Sequence, residues 1–396
     1  MRAIGVVTAA RSEYGIYKPL LRKLRARPDA DLRLFVTGMH LAPEYGQTVR
    51  QIEADGFPIA ERIEALLASD APGGIAASMG LGTIGFAQAF ARRRPDILVV
   101  LGDRFEMHAA ALAALPFKLP VAHIHGGEVT EGAIDDALRH SLTKLAHLHF
   151  VAAEVYARRV VQLGEEPWRV TVSGAPALDD VAAVSRPSPA QLEARIGLPL
   201  EPAPLLVTFH PVTLEYERTE WHVGELLAAL DAAELPVVFT RPNADTQGRT
   251  VARLIEAFAR TRPWAVLAGD LGTEAYFGLM ECAAAMVGNS SSGLIEAPSF
   301  KLPVVNIGTR QRGRHRAANV IDVGYGRAEV IDGIRRATRP DFRTVELRQL
   351  TNPFDRGGAA EIIAERLLSA PLGDELVKKR FYDLPPVEDG PCDRAA

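Results

Sequence analysis

The apolar positions of this chain fall into short unbroken runs separated by stretches of helical period, and that alternation repeats from end to end. Residues 2–8 (RAIGVVT), 32–37, 97–101 (ILVVL), 120–124, 150–153 and 170–174 read as strands covered on both faces. Between them, 16–27, 86–93, 107–115, 135–146 and 154–163 carry helical patterns. Residues 9–15 read as a polar loop and 43–64 as a short helix with a two-sided connection. Residues 70–85, with five glycines and a proline, read as a loop. A polar, proline-punctuated segment at 179–199 interrupts the pattern. A second alternation follows, with strands at 205–209, 236–240, 264–268, 284–287 and 303–307 and helices at 223–233, 248–261, 273–282 and 294–300. Strands alternating with helices predict α/β domains with parallel, doubly wound sheets. We place one Rossmann-like domain at 1–180, a second at 181–370, and a tail at 371–396.

The stretch 98–149 carries the densest chemistry. Asp103 falls at the carboxyl end of the strand 97–101, and His125-Gly126-Gly127-Glu128 forms the exit loop of the strand 120–124. In doubly wound sheets ligands bind outside the strands' carboxyl ends, so both should face one cleft. Asp135 and Arg139, spaced i,i+4, share one face near a helix start. Taken singly these residues also have ordinary readings: carboxylates cap helices, and histidines settle in cores.

Two other loops add to this cleft. The loop after the first strand holds no G-x-G-x-x-G, so a nucleotide would not be held as NAD is held. Arg11 offers instead a planar fork of donors to phosphate, or is simply a solvated loop arginine. In the second half, Gly288-Asn289-Ser290-Ser291-Ser292-Gly293 lies between a strand and a helix. Small residues, free amides at the helix start and three hydroxyls make it resemble a phosphate cradle, though a serine-rich loop alone is a weak signal. Glu296 is placed to accept from ribose hydroxyls. His210, at the tip of an apolar strand, is a candidate proton donor or phosphate ligand.

At 396 residues the chain is long enough for two cores. A net charge of −4 argues against a general nucleic-acid footprint. Two cysteines build neither a disulfide framework nor a cysteine metal site. Neither a secretory segment at the start of the chain nor a run of the roughly 18 apolar residues needed to span a bilayer is expected. The expectation is a cytoplasmic enzyme. Six of the ten histidines fall between His108 and His149. His123 and His125, two apart on one strand face, leave a zinc site as a minor reading.

Together the motifs TAARSEYG, LGDRFE, HIHGGEVTEGAIDDALRHSLTKLAH, TFHPVT, RPNAD and GNSSSGLIEAPSFKLPVVNIGTRQRGR resemble the hydrolysing UDP-N-acetylglucosamine 2-epimerases of bacterial nonulosonic acid synthesis, similar in turn to the epimerase half of the bifunctional animal enzyme. The resemblance runs from Thr8 to about Val323. It implies a GT-B fold, two Rossmann-like domains across a cleft, with a C-terminal helix returning to the first. It also implies expulsion of the nucleoside diphosphate from C1 to give a glycal, reprotonation at C2 from the other face, and water attack at C1. By the family's pattern Asp103 and Asp135 are the carboxylates at the sugar. Arg11, His210, Ser290, Ser291, Ser292 and Gly293 hold the diphosphate, Glu296 the ribose and Asn243 the nucleotide end, while Arg139 orients sugar or phosphate. Many relatives carry a catalytic glutamate where this chain has His125, so the proton transfer falls to His125 or to Glu128. No cofactor and no metal are called for, and relatives commonly form homodimers through the first domain. A retaining GT-B glycosyltransferase and a non-catalytic nucleotide-sugar sensor are the rival readings. UDP-N-acetylglucosamine, UDP-2,4-diacetamido-2,4,6-trideoxyglucose and a GDP-linked counterpart share the reacting atoms, and the sequence does not separate them.

Overall fold

The computed structural model describes residues 1–242, 245–269 and 271–385. The first seven strands are β1 (Arg2–Thr8), β2 (Ala30–Thr37), β3 (Ile59–Ile63), β4 (Ile97–Leu101), β5 (Val121–Ile124), β6 (Leu148–Val151) and β7 (Val170–Val172). They form one sheet in the order β3-β2-β1-β4-β5-β6-β7. The second sheet contains β8 (Leu205–Thr208), β9 (Val237–Phe239), β10 (Ala265–Leu267), β11 (Ala285–Gly288), β12 (Val304–Ile307) and β13 (Val320–Val323), in the order β10-β9-β8-β11-β12-β13. Every pairing in both sheets is parallel. β4, β5 and β6 are buried at each position, as parallel strands sandwiched between helices must be. The fold is α/β and GT-B-like.

Strand order reverses between β1 and β4 in the first sheet and between β8 and β11 in the second. Such a reversal opens a crevice at the carboxyl ends of the two central strands. The exits of β1 and β4 therefore lie side by side, carrying Arg11 and Asp103. Those of β8 and β11 carry His210 and the serine loop. The two halves touch through the 130–134 segment: Ile134 N donates to Thr213 Oγ1 at 2.9 Å, and Leu214 N to Gly132 O at 3.2 Å.

Several expectations are corrected. The 9–15 stretch is not a loop, because the first helix begins at Arg11 (Arg11–Ala26). Glu13 folds back so that its Oε2 accepts the amides of Ala9 and Ala10 at 3.0 and 3.2 Å, which caps the helix from within. The glycine-rich 70–85 stretch is helical too, part of a 22-residue helix, Pro72–Arg93. Its glycines permit close packing: a Cβ on Gly82 would sit 3.2 Å from Ala109 Cβ, and one on Gly85 2.5 Å from Ile63 Cγ2. By length and mean hydropathy (1.3) this helix is long and apolar enough to cross a membrane, contrary to expectation. Its Ile75, Phe86 and Phe90 are nonetheless buried, the latter two in the core of the first domain. The 43–64 connection contains β3, and β13 lies beyond the last strand read from the pattern.

The chain returns to the first domain earlier than residue 371. The helix Ala359–Ser369 lays Ala360, Ile363, Ala364 and Leu367 into the same core as Tyr17, Leu20, Leu21 and Leu24. Asp179 accepts the amides of Ala359 and Ala360 at its start, at 3.0 and 2.7 Å. Further on, Arg169 donates to the carbonyls of Leu376 and Glu375, and Lys379 pairs with buried Glu165 at 2.6 Å.

Candidate active site

Asp103 and Arg139 form an ion pair at the carboxyl end of β4, and the Thr130 hydroxyl donates to the same carboxylate oxygen at 3.2 Å. Burial opposes a charge on Asp103. Arg139, Arg314 and Arg310 outweigh it and hold the carboxyl below its ordinary range. Arg139 is buried, and its Nη1 also donates to the His125 carbonyl at 2.7 Å.

His125 leaves β5 in the left-handed region, at φ +63°. For a residue with a side chain that costs on the order of 1–3 kcal/mol, and it recurs where a site must aim a group. The ring's Nδ1 lies 2.6 Å from Glu128 Oε1. Glu128 is buried, and desolvation disfavours its charge. Arg314, His125 and Arg139 reverse that and push it far below the ordinary carboxylate range. Glu128 is therefore an ionised partner for His125. His123, two residues earlier, is consumed by structure, with Nε2 2.7 Å from the Gly102 carbonyl and a pKa lowered to about 3 by burial. No group of three or more metal-type side chains converges among the described residues.

Asp135 opens the helix Asp135–Leu145 and lines a cleft shared by the two domains, with Arg104, Phe105, Ile75, Ile134 and Leu138 on one side and Thr213, Asp245 and Thr246 on the other. Burial first, then the negative charges of Asp103 and Asp245, push its pKa up to about 7. The site thus holds one carboxyl kept ionised and one that titrates near neutrality, the separation that acid/base chemistry uses. Beneath it, Arg104 is shared by Glu13, Glu106 and Asp245, and burial raises Glu13 to about 8.

Across the cleft, His210 and Asn289 brace the β8 and β11 exits together. His210 N donates to Asn289 Oδ1 at 2.7 Å, and Asn289 Nδ2 to His210 O at 2.8 Å. Burial, then Arg310 and Arg104, hold the His210 ring well below its ordinary pKa, so it is a neutral hydrogen-bonding group and not a cationic donor. Ser290, Ser291 and Ser292 are half-buried at the mouth of the short helix Ser292–Ile295. Gly293 is buried behind them, and a Cβ there would sit 2.8 Å from Val304 Cγ1, so its smallness serves helix–strand packing. The Arg11 charge acts on Tyr276, a tyrosine that also feels Ser292 and Thr208 of the second domain. Glu296 is buried, raised to about 7 by desolvation, and leaves Oε2 without a partner. An unpaired buried oxygen of this kind is costly unless hydroxyl donors arrive. Asn243 lies outside the described residues.

Sequence reasoning missed Arg310 and Arg314. Arg310 acts on Asp103, Asp135 and His210 together, and Arg314 crosses to the first domain. Their signal was the GTRQRGR run at the carboxyl end of β12, an arginine-rich strand exit in a sheet of this kind.

A family model described as UDP-N-acetylglucosamine 2-epimerase matches residues 22–368. A Campylobacter jejuni relative named GDP/UDP-N,N'-diacetylbacillosamine 2-epimerase (hydrolyzing) is 39% identical over 323 residues, 81% of this chain and 84% of that one. The Legionella pneumophila UDP-N,N'-diacetylbacillosamine 2-epimerase (hydrolyzing) is 34% identical over 96% of this chain and 99% of its own. Among solved structures, the Neisseria meningitidis UDP-GlcNAc 2-epimerase bound to UDP-GlcNAc superposes with a TM-score of 0.77 at 18% identity, covering 93% of this chain and all of that one, a likeness of fold. The breadth of the family match, together with two relatives more than 30% identical over most of their length, shows that the chain belongs to the UDP-N-acetylglucosamine 2-epimerase family.

Proposed function

We propose that the chain is a hydrolysing nucleotide-sugar 2-epimerase acting on a nucleoside-diphosphate-linked 2,4-diacetamido-2,4,6-trideoxyhexose. The observation that carries this is the arrangement of the Asp103, His125 and Asp135 cluster opposite the His210 and serine-loop cradle, with Arg310 acting on both. Asp135, with a pKa of about 7, takes the C2 proton as the C1–O bond to the diphosphate breaks. Arg310, Arg11, the serine hydroxyls and neutral His210 stabilise the departing diphosphate. Glu296 accepts from the ribose. His125, oriented by Glu128, returns a proton to C2 of the glycal from the opposite face, and water adds at C1 to release the free 2-epimer. Asp103, held ionised against Arg139, anchors the sugar.

Two observations support the trideoxy sugar over N-acetylglucosamine. The two relatives above carry that substrate in their names. Beside Asp135 the cleft wall is apolar, made of Ile75, Phe105, Ile134 and Leu138, which suits a C6 methyl and a C4 acetamido methyl better than two hydroxyls. Proton NMR time courses in deuterated water, run with UDP- and GDP-linked diacetamido sugar and with UDP-N-acetylglucosamine, test this. The expected products are nucleoside diphosphate and a manno-configured sugar deuterated at C2, formed fastest from a diacetamido substrate. Faster turnover of UDP-N-acetylglucosamine would sink the sugar assignment. Three intact substrates would sink the epimerase reading.

The homodimer also belongs to this proposal. The helix Pro72–Arg93 and its neighbour Phe105–Ala114 leave Leu81, Ile84 and Leu112 exposed at 43%, 58% and 43%. A second copy covering that face explains an apolar surface of this kind. Sedimentation should give a dimer, with Ile84→Asp shifting it to monomer; an unshifted variant would place the contact elsewhere.

A further inference from the structure

The loop after β12 belongs to the second domain, yet Arg314 on it ends among first-domain groups. Its Nε donates to the Val129 carbonyl at 2.7 Å, its Nη2 donates to Thr130 Oγ1 at 3.2 Å, and Nη2 lies 3.4 Å from Glu128 Oε2. Arg314 is buried in this position. The approach is close enough to require a glycine beside it: Gly313 has φ +77°, and a Cβ there would come 2.5 Å from Glu131 Oε1 and 2.8 Å from Val129 Cγ2.

We propose that Arg314 is a positioning residue through which the second domain sets the His125–Glu128 pair and the Thr130–Asp103 hydrogen bond of the first. This rests on the function proposed above for His125 and Asp103. The groups facing Glu128 are His125 from its own loop, Arg139 from the helix Asp135–Leu145, Asp103 at the end of β4, Tyr156 from the helix Glu154–Gln162, and Arg314 and Glu296 from the second domain. Arg139 stands 3.9 Å from Glu128 and is already committed to Asp103 and the His125 carbonyl. Arg314 is therefore the nearer guanidinium holding Glu128 as a carboxylate. An ionised Glu128 holds one His125 proton on Nδ1 and leaves Nε2, which has no protein partner among the described residues, to carry the second proton that the imidazolium delivers to C2. The same guanidinium donates to the Thr130 oxygen, so that hydroxyl's single proton points at Asp103. Arg139, whose Nη2 also donates to Thr130 Oγ1 at 3.4 Å, backs both settings from within the first domain, while the Arg314 contribution exists only when the loop is docked, which ties full catalytic competence to apposition of the domains.

The test compares wild type, Arg314→Ala, Arg314→Lys, Glu128→Gln and the Arg314→Ala/Glu128→Gln double variant. Arg314→Ala should lose about 10²-fold in kcat with KM changed less than about threefold. Added guanidinium should recover part of the loss, and Arg314→Lys should fall between. In the Glu128→Gln background, removing Arg314 should cost much less than in wild type. In protein labelled with 15N-histidine, the downfield His125 Nδ1–H resonance, assigned by its absence in His125→Gln, should vanish or move upfield in Arg314→Ala. An unmoved resonance overturns the proposal, as does an undiminished kcat penalty in the Glu128→Gln background or a loss confined to KM. Should wild type turn over no nucleotide sugar, the proposed function fails while the imidazole resonance still decides the role of Arg314.

Discussion

Asp135→Asn should lower kcat by about 10²–10⁴-fold, the range for removing one general acid or base. It should also erase the rise of kcat/KM through about pH 7 that is expected of the wild type. Burial comes first among the causes: a carboxyl at the cleft wall loses hydration and resists ionising. Asp103, held ionised by Arg139, and Asp245 add negative charge nearby, and together they bring the proton to about 7. A base of that kind is inactive when protonated, so activity climbs as pH rises through the pKa and levels off above it. Asparagine keeps the shape and cannot take the proton. The kcat/KM profile reports titrations of the free enzyme. An Asp135→Asn variant that kept the ascending limb would transfer the titration to another group and remove Asp135 from the chemistry.

Gly288→Ala should be among the most destabilising single substitutions in the chain, at about 4 kcal/mol or more. Gly288 ends β11 with φ +136°, a conformation essentially closed to residues with a side chain, and a Cβ there would overlap the Thr208 carbonyl oxygen of the neighbouring strand. The obstacle is backbone in the middle of a parallel sheet, which cannot swing aside as a side chain can. Relief would have to part β8 from β11, and those exits carry His210 and the serine loop. Denaturant unfolding gives the measure, with Gly224→Ala as comparison. Gly224 lies in the helix Thr219–Ala233 with open space around its Cβ direction, and alanine there should be neutral or stabilising by up to about 1 kcal/mol. Similar midpoints for the two variants would contradict the steric account. If Gly288→Ala does fold, its loss of activity should exceed its loss of folded protein, because the cradle is built on that turn.

The linear pattern by itself determined most of the frame. Unbroken apolar runs such as 97–101 and 205–209 can be satisfied only by strands covered on both faces, and their alternation with helical segments leaves parallel sheets as the arrangement. From there the strand ends followed, and with them Asp103, His125, Glu128, His210 and the serine loop, because a strand's carboxyl end is a local property of the sequence. The glycine-rich 70–85 stretch failed for the converse reason. Its intrinsic helical preference is poor, and it is helical because Gly82 and Gly85 let it lie against Ala109 and Ile63, a gain visible only when those residues are in place. The boundary at 370 left residues 359–369 in the second domain, and only the packing of the helix Ala359–Ser369 against Tyr17 and Leu21 decides that it belongs to the first. Charge states were likewise tertiary. That Asp103 stays ionised, that Asp135 holds its proton to about 7, and that Glu128 is fixed against His125 all depend on Arg139, Arg310 and Arg314. Two of these arrive from a domain far away in sequence. Electrostatic interaction depends on distance and burial, and neither is written in the order of residues.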